Sequence, residues 1–154
     1  MNKQPNADMC IVCGRKNPVG LAMEFYDDGV DTVTGSIVMP EHTQGYPEIV
    51  HGGILAAILD EVVGRTAMIE DHHRFMMTVN MALQYRKPVT VGSKIKAVGK
   101  RERLRGRICK ASGQILLEDG SVACEAALTL ADMPNDIATD GRLAALGWAV
   151  NDDD

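Results

Sequence analysis

The stretch His51-Gly52-Gly53-Ile54-Leu55-Ala56-Ala57-Ile58-Leu59-Asp60-Glu61-Val62-Val63 constrains this chain more than any other. Its apolar residues fall on nearly every side of a helix, which predicts a helix wrapped by other elements from Gly52 to about Ile69. That helix opens on two residues without side chains. The first N–H groups of a helix have no internal acceptor and sit at the positive end of its dipole, so bare donors are offered there to an oxyanion. Asp60 interrupts the apolar run, and a carboxylate is rarely buried without a partner or a task. It is therefore expected to be a buried catalytic group. Asp60 lies nine residues after His51, about 14 Å further along the axis and on the opposite side. One copy of the helix cannot bring Asp60 and the glycine amides together. If they serve one reaction, the helices of two subunits run antiparallel and the site sits on a two-fold interface.

The rest of the chain reads as strands. Leu21–Tyr26 and Thr32–Met39 alternate around Asp27-Asp28-Gly29, a hairpin signal, and Met39-Pro40 stops the second strand. After the helix, Phe75–Tyr85, Ser93–Lys100, Arg107–Leu117 and Ser121–Ala131 give four more, the last two joined at Glu118-Asp119-Gly120. Strict alternation places Phe75, Met77, Val79, Met81, Leu83 and Tyr85 on one face. Met76, Thr78, Asn80, Ala82 and Gln84 then share the other, so Thr78 and Asn80 point together. The expected class is α+β, an antiparallel sheet of about six strands curled around one long helix. Residues 1–20 are expected to form an N-terminal segment, 21–131 the folded body and 132–154 a tail. In the tail, Leu143, Leu146 and Trp148 predict a short docked helix, and Asn151–Asp154 is expected to be disordered.

Several motifs follow one another in order: Cys10-Ile-Val-Cys13-Gly14, Asn17-Pro18-Val19-Gly20-Leu21, Val50-His51-Gly52-Gly53 with Asp60-Glu61, and Asp119-Gly120 leading into Ala123-Cys124-Glu125-Ala126. In this order the chain resembles the hotdog-fold acyl-CoA thioesterases of the PaaI-like and THEM-type groups, from about Cys10 to Ala131. The resemblance implies a central helix in a wrapped sheet, dimers with sites at the interface, and metal-free hydrolysis of an acyl-CoA thioester to free acid and CoA. Position by position, it assigns the acid to Asp60, the amide that polarises the thioester carbonyl to Gly52, and a hydroxyl eighteen residues after the acid to Thr78. Gln44 is a weaker match for a polar loop residue.

In such a site Asp60 acts as general base on water or as nucleophile giving an anhydride; the sequence leaves both open. Gly53 is a second candidate donor. His51 either contacts the substrate or caps its own loop. Glu61 lies about 100° around the helix from Asp60 and is expected to be structural. Arg86 and Lys87 are candidates for holding the phosphates of coenzyme A, more so than the run Lys100–Arg107.

The formal net charge of −5 and the lack of interleaved aromatics in the basic run argue against nucleic acid. Met1–Asp8 is polar and no apolar stretch spans a bilayer, so a soluble cytoplasmic protein without a membrane partner is expected. Cys109 and Cys124 fall at apolar strand positions, where reduced core thiols are ordinary. Cys10 and Cys13 form a single Cys-x-x-Cys without a second pair, so a turn covering the helix is expected, with no metal and no cofactor. The expected partners are an acyl-CoA substrate and a second copy of the chain, with tetramers left open. A non-catalytic acyl-CoA sensor or carrier of the same fold is the alternative.

Overall fold

The computed structural model describes residues 1–134 and 139–151. Among them, seven strands form one antiparallel sheet: β1 (Asn2–Lys3), β2 (Phe25–Asp27), β3 (Thr32–Val38), β4 (Met76–Tyr85), β5 (Lys94–Arg105), β6 (Ile108–Leu116) and β7 (Val122–Asp132). Their order is β1-β2-β3-β5-β6-β7-β4, which leaves β4 at an edge. Helix α1 (Gly52–Gly64) continues into a 3-10 turn, Arg65–Met68, and packs against the sheet.

The helix fits because the sheet carries no side chain where the two come closest. Gly99 and Gly113 are register partners across β5 and β6. A Cβ on Gly99 would stand 2.4 Å from the Val62 carbonyl oxygen, and one on Gly113 2.5 Å from Val63 Cγ2. This closeness buries Leu55, Ile58, Leu59, Val62 and Val63, each worth about 2 kcal/mol of transfer free energy. Gly99→Ala is accordingly expected to lower stability by about 1–3 kcal/mol, seen as a lower midpoint of urea unfolding with an unchanged slope.

Four differences from the sequence reading have identifiable causes. The added strand, β1, comes from a polar segment, and Gln4 and Asn6 beside it are buried. The Gln4 side-chain amide donates to Asp27 Oδ2 (3.0 Å) and to the Arg65 carbonyl (3.3 Å), so this burial leaves no hydrophobic pattern to read. Strand β2 starts later than expected because Leu21 and Met23 donate instead to the Ile11 and Val12 carbonyls, with Ala22 at a positive φ of 49° between them. β5 runs on through the basic run to a tight turn at Gly106, φ 59°. Within that extension Arg101 reaches Glu70 and the Val30 carbonyl.

The fourth difference is a bulge in β4. Its register against β7 shifts between Thr78 and Asn80, so strict alternation fails there. Met76 and Thr78 share the half-buried pattern with Met81 and Leu83, whereas Asn80 is exposed. Thr78 and Asn80 therefore do not point together.

The tail docks through α2 (Asp140–Ala145) and Trp148. The Trp148 ring meets Phe75 edge-on at 5.1 Å, and its indole N–H donates to the His72 carbonyl at 3.1 Å. Asn151 is half-buried; the rest of the stretch expected to be disordered, 152–154, lies outside the described residues. No helix among the described residues is long and apolar enough to cross a membrane.

Candidate active site

Thr78 and Asp60 meet directly. The Thr78 hydroxyl donates to Asp60 Oδ1 at 2.6 Å, which fixes the carboxylate and leaves Oδ2 open to a further donor. Both line a cavity of about 410 Å³ with Cys10, Cys13 and Glu61. Asp60 is exposed on the single chain, not buried as expected. The cause is the helix face it occupies: Gly53, Ala56, Ala57, Asp60 and Gly64 form a stripe of short residues, none buried by the chain's own sheet. Glu61 pairs with Arg65 at 2.9 Å.

The helix start lies at the other end. His51 is the N-cap, and its Nδ1 accepts the Gly53 N–H at 2.8 Å. Of the two roles considered for His51, the capping contact is present. It uses the Gly53 donor, and it requires that any ring proton of the neutral imidazole sit on Nε2. The Gly52 N–H has no acceptor among the described residues, so Gly52, not Gly53, presents the open donor. A cavity of about 920 Å³ here is lined by Gln44, His51, Gly52, Tyr85, Arg86 and Lys87, among others. Gln44 uses its side-chain oxygen to accept the Glu48 N–H at 2.6 Å, bracing its own loop. Arg86 donates to Glu125 at 2.6 Å and Gln84 at 2.7 Å; the Arg86 guanidinium holds the Glu125 carboxyl below the usual carboxylate range.

Two features, one at each end of α1, escape the sequence reading. Tyr85 donates its hydroxyl to the Gly52 carbonyl at 2.8 Å, and a Cβ on Gly52 would sit 3.3 Å from its ring. Glycine thus lets the ring lie on the helix start, an approach between distant residues that no local spacing signals. Arg65 is the other: although 1% exposed, it binds Glu61, donates to the Pro5 carbonyl at 2.9 Å and lies 4.6 Å over the Phe25 ring. It ties the N-terminal segment to the end of the helix.

Within one chain, then, the acid with its hydroxyl and the open amide lie in separate cavities. Both ends border the same uncovered stripe of α1. Beside it, edge strand β4 exposes Met77 and Val79.

The thioesterase superfamily model matches residues 48–124, from the loop before α1 into β7. The acyl-coenzyme A thioesterase THEM4 of Rattus norvegicus is 35% identical over 66 residues, 43% of this chain and 27% of that protein. The chain thus spans about a quarter of that relative's length. A crystal structure of a thioesterase superfamily protein aligns with TM-score 0.73 at 26% identity, covering 81% of this chain and 61% of that one. A Streptococcus pneumoniae thioesterase protein crystallised with coenzyme A shares the fold, with TM-score 0.66 at 17% identity over 72% of this chain and 88% of that one. With the helix wrapped by a seven-stranded antiparallel sheet, the fold is the hotdog fold and the chain belongs to the thioesterase superfamily.

Proposed function

We propose that this chain is an acyl-CoA thioesterase, active as a homodimer in which each site takes Asp60 and Thr78 from one subunit and an oxyanion donor from the partner subunit's Gly52. The observation that carries this reading is the 2.6 Å Thr78–Asp60 hydrogen bond on the open stripe of α1, with the open Gly52 N–H left at the start of the same helix. A two-fold axis near Ala56 sets Gly52 of one helix opposite Asp60 of the other, and the short side chains of the stripe permit close approach. Pairing of β4 edges beside it supplies backbone partners and covers Met77 and Val79.

In this arrangement Asp60 accepts a proton from water as the water oxygen attacks the thioester carbonyl carbon. The tetrahedral oxyanion is held by the helix-start N–H, a contact typically worth a few kcal/mol. Collapse breaks the C–S bond and releases CoA, which takes up the proton. Direct attack by Asp60 instead gives an anhydride and CoA thiolate, and water then hydrolyses the anhydride. Arg86 and Lys87 at the cavity by the helix start suit the phosphates of CoA. The coenzyme A of the Streptococcus neighbour supports that ligand class.

The test is thiol release from short, medium, long and aryl acyl-CoAs by the unmodified protein. Hydrolysis of at least one class is expected. Saturable binding without thiol release from any of them would instead identify a non-catalytic acyl-CoA-binding protein.

A further inference from the structure

The Cys10-x-x-Cys13 turn has no part in the reaction above, yet its sulfurs are arranged as donors. Cys10 Sγ accepts the backbone N–H groups of Val12 (3.4 Å) and Cys13 (3.3 Å), contacts that favour a thiolate and orient its lone pairs. The turn closes by a 2.9 Å bond from the Gly14 N–H to the Cys10 carbonyl. A Cβ on Gly14 would stand 2.4 Å from that carbonyl oxygen, so only glycine allows this closure. Glu61 enters from α1, 48 positions after Cys13. Its Oε1 is occupied by Arg65, while Oε2 accepts from the Cys10 thiol at 3.7 Å. The two sulfurs and the carboxylate oxygen all lie within 4.8 Å of one another.

We propose that Cys10 Sγ, Cys13 Sγ and Glu61 Oε2 form a binding site for one thiophilic divalent cation of the zinc class, with a fourth position open to the cavity shared with Asp60. Tetrahedral zinc with bonds of about 2.3 Å to sulfur and about 2.0 Å to oxygen sets sulfur–oxygen and sulfur–sulfur separations of about 3.5 and 3.8 Å. The observed 3.7 Å from Cys10 Sγ to Glu61 Oε2 is close to the first of these. The charges also balance: two thiolates and a carboxylate neutralise a divalent ion and Arg65, which is buried beside them. Arg65 fixes Glu61 from behind, as outer-shell partners of metal ligands do. Without the ion, the Cys13 thiol donates to Cys10 and is pushed well above the usual thiol range. The same contact brings the Cys10 thiol down to about 7. Because both sulfurs must bind as thiolates, binding weakens as pH falls. An ion here clamps the N-terminal turn to α1 whatever the protein's reaction.

The experiment uses the full chain, reduced and stripped of metal under anaerobic conditions, and titrates it with Co²⁺ and then Zn²⁺. One equivalent of cobalt per chain is expected to give a thiolate-to-cobalt charge-transfer band and tetrahedral visible bands, both lost on adding zinc. Zinc should also protect Cys10 and Cys13 from alkylation. Cys10→Ser should cut the charge-transfer band by half or more, because only the Cys13 thiolate remains, and Glu61→Gln should weaken zinc binding at least ~10-fold. Cys10→Ser leaves the Glu61–Arg65 pair in place, so it remains decisive if Glu61→Gln fails to fold. The proposal is overturned by a reduced protein that shows no charge-transfer band, or by an equal band in Cys10→Ser. A native Cys10–Cys13 disulfide whose reduced form takes up no cobalt overturns it as well.

Discussion

Asp60→Asn is expected to lower kcat for acyl-CoA hydrolysis by roughly 100- to 10,000-fold, the range of general acid–base catalysis. Asparagine is nearly isosteric, and its side-chain oxygen still accepts the Thr78 hydroxyl now bonded to Asp60 Oδ1. It cannot take a proton from water or attack a carbonyl as a carboxylate does. Because Asp60 is exposed on the single chain, the fold has little to lose. The thermal midpoint and the affinity for acyl-CoA should therefore stay near those of the parent. A loss confined to KM would assign Asp60 to binding, and a variant keeping most of the parent kcat would remove it from the chemistry.

How far the sequence shows this site depends on whether the signal is local. Helix α1 declares itself through unbroken apolarity and its glycine start, and the hairpins at Gly29 and Gly120 sit where Asp-Gly pairs predict them, with φ of 75° and 82°. The β4 bulge left no trace, because Met76, Met77, Val79 and Met81 supply apolar residues to both faces and hide the change of register. β5 runs past the expected Lys100 unannounced, because its extension, residues 101–105, is charged except at Leu104 and carries no apolar alternation to read, and only the folded sheet shows Arg101 reaching back to Glu70. The exposure of Asp60 was misread for a different reason. Apolar residues all around a helix predict complete covering, but the alanines and glycines of its open stripe are not buried by the chain's own sheet.

The engagement of Gly53 and the setting of Glu61 depend on specific partners. The order of residues leaves open whether His51 caps its own loop, which it does through the Gly53 N–H, and does not say that Glu61 lies between Arg65 and Cys10. Both depend on side-chain geometry across a turn or between distant segments, which composition and periodicity do not carry.

The shared site rests on the claim that acid and donor come from different subunits, and mixed dimers test it. Gly52→Pro removes the open N–H at the first helical position, where proline is tolerated. His51 before it already has φ −60° and ψ 132°, an extended conformation that suits a residue preceding proline. Gly52→Ala crowds Tyr85 in a similar way but keeps the N–H, and should remain active; it separates the lost donor from steric disturbance. Gly52→Pro and Asp60→Asn should each be inactive alone. Refolded together in equal amounts, half the dimers are mixed, and each mixed dimer holds one site with both defects and one intact site. The account predicts recovery of roughly one quarter of the activity of unmodified protein. Absence of recovery, with mixed dimers confirmed by mass, would contradict it and place both groups in a site built by one chain.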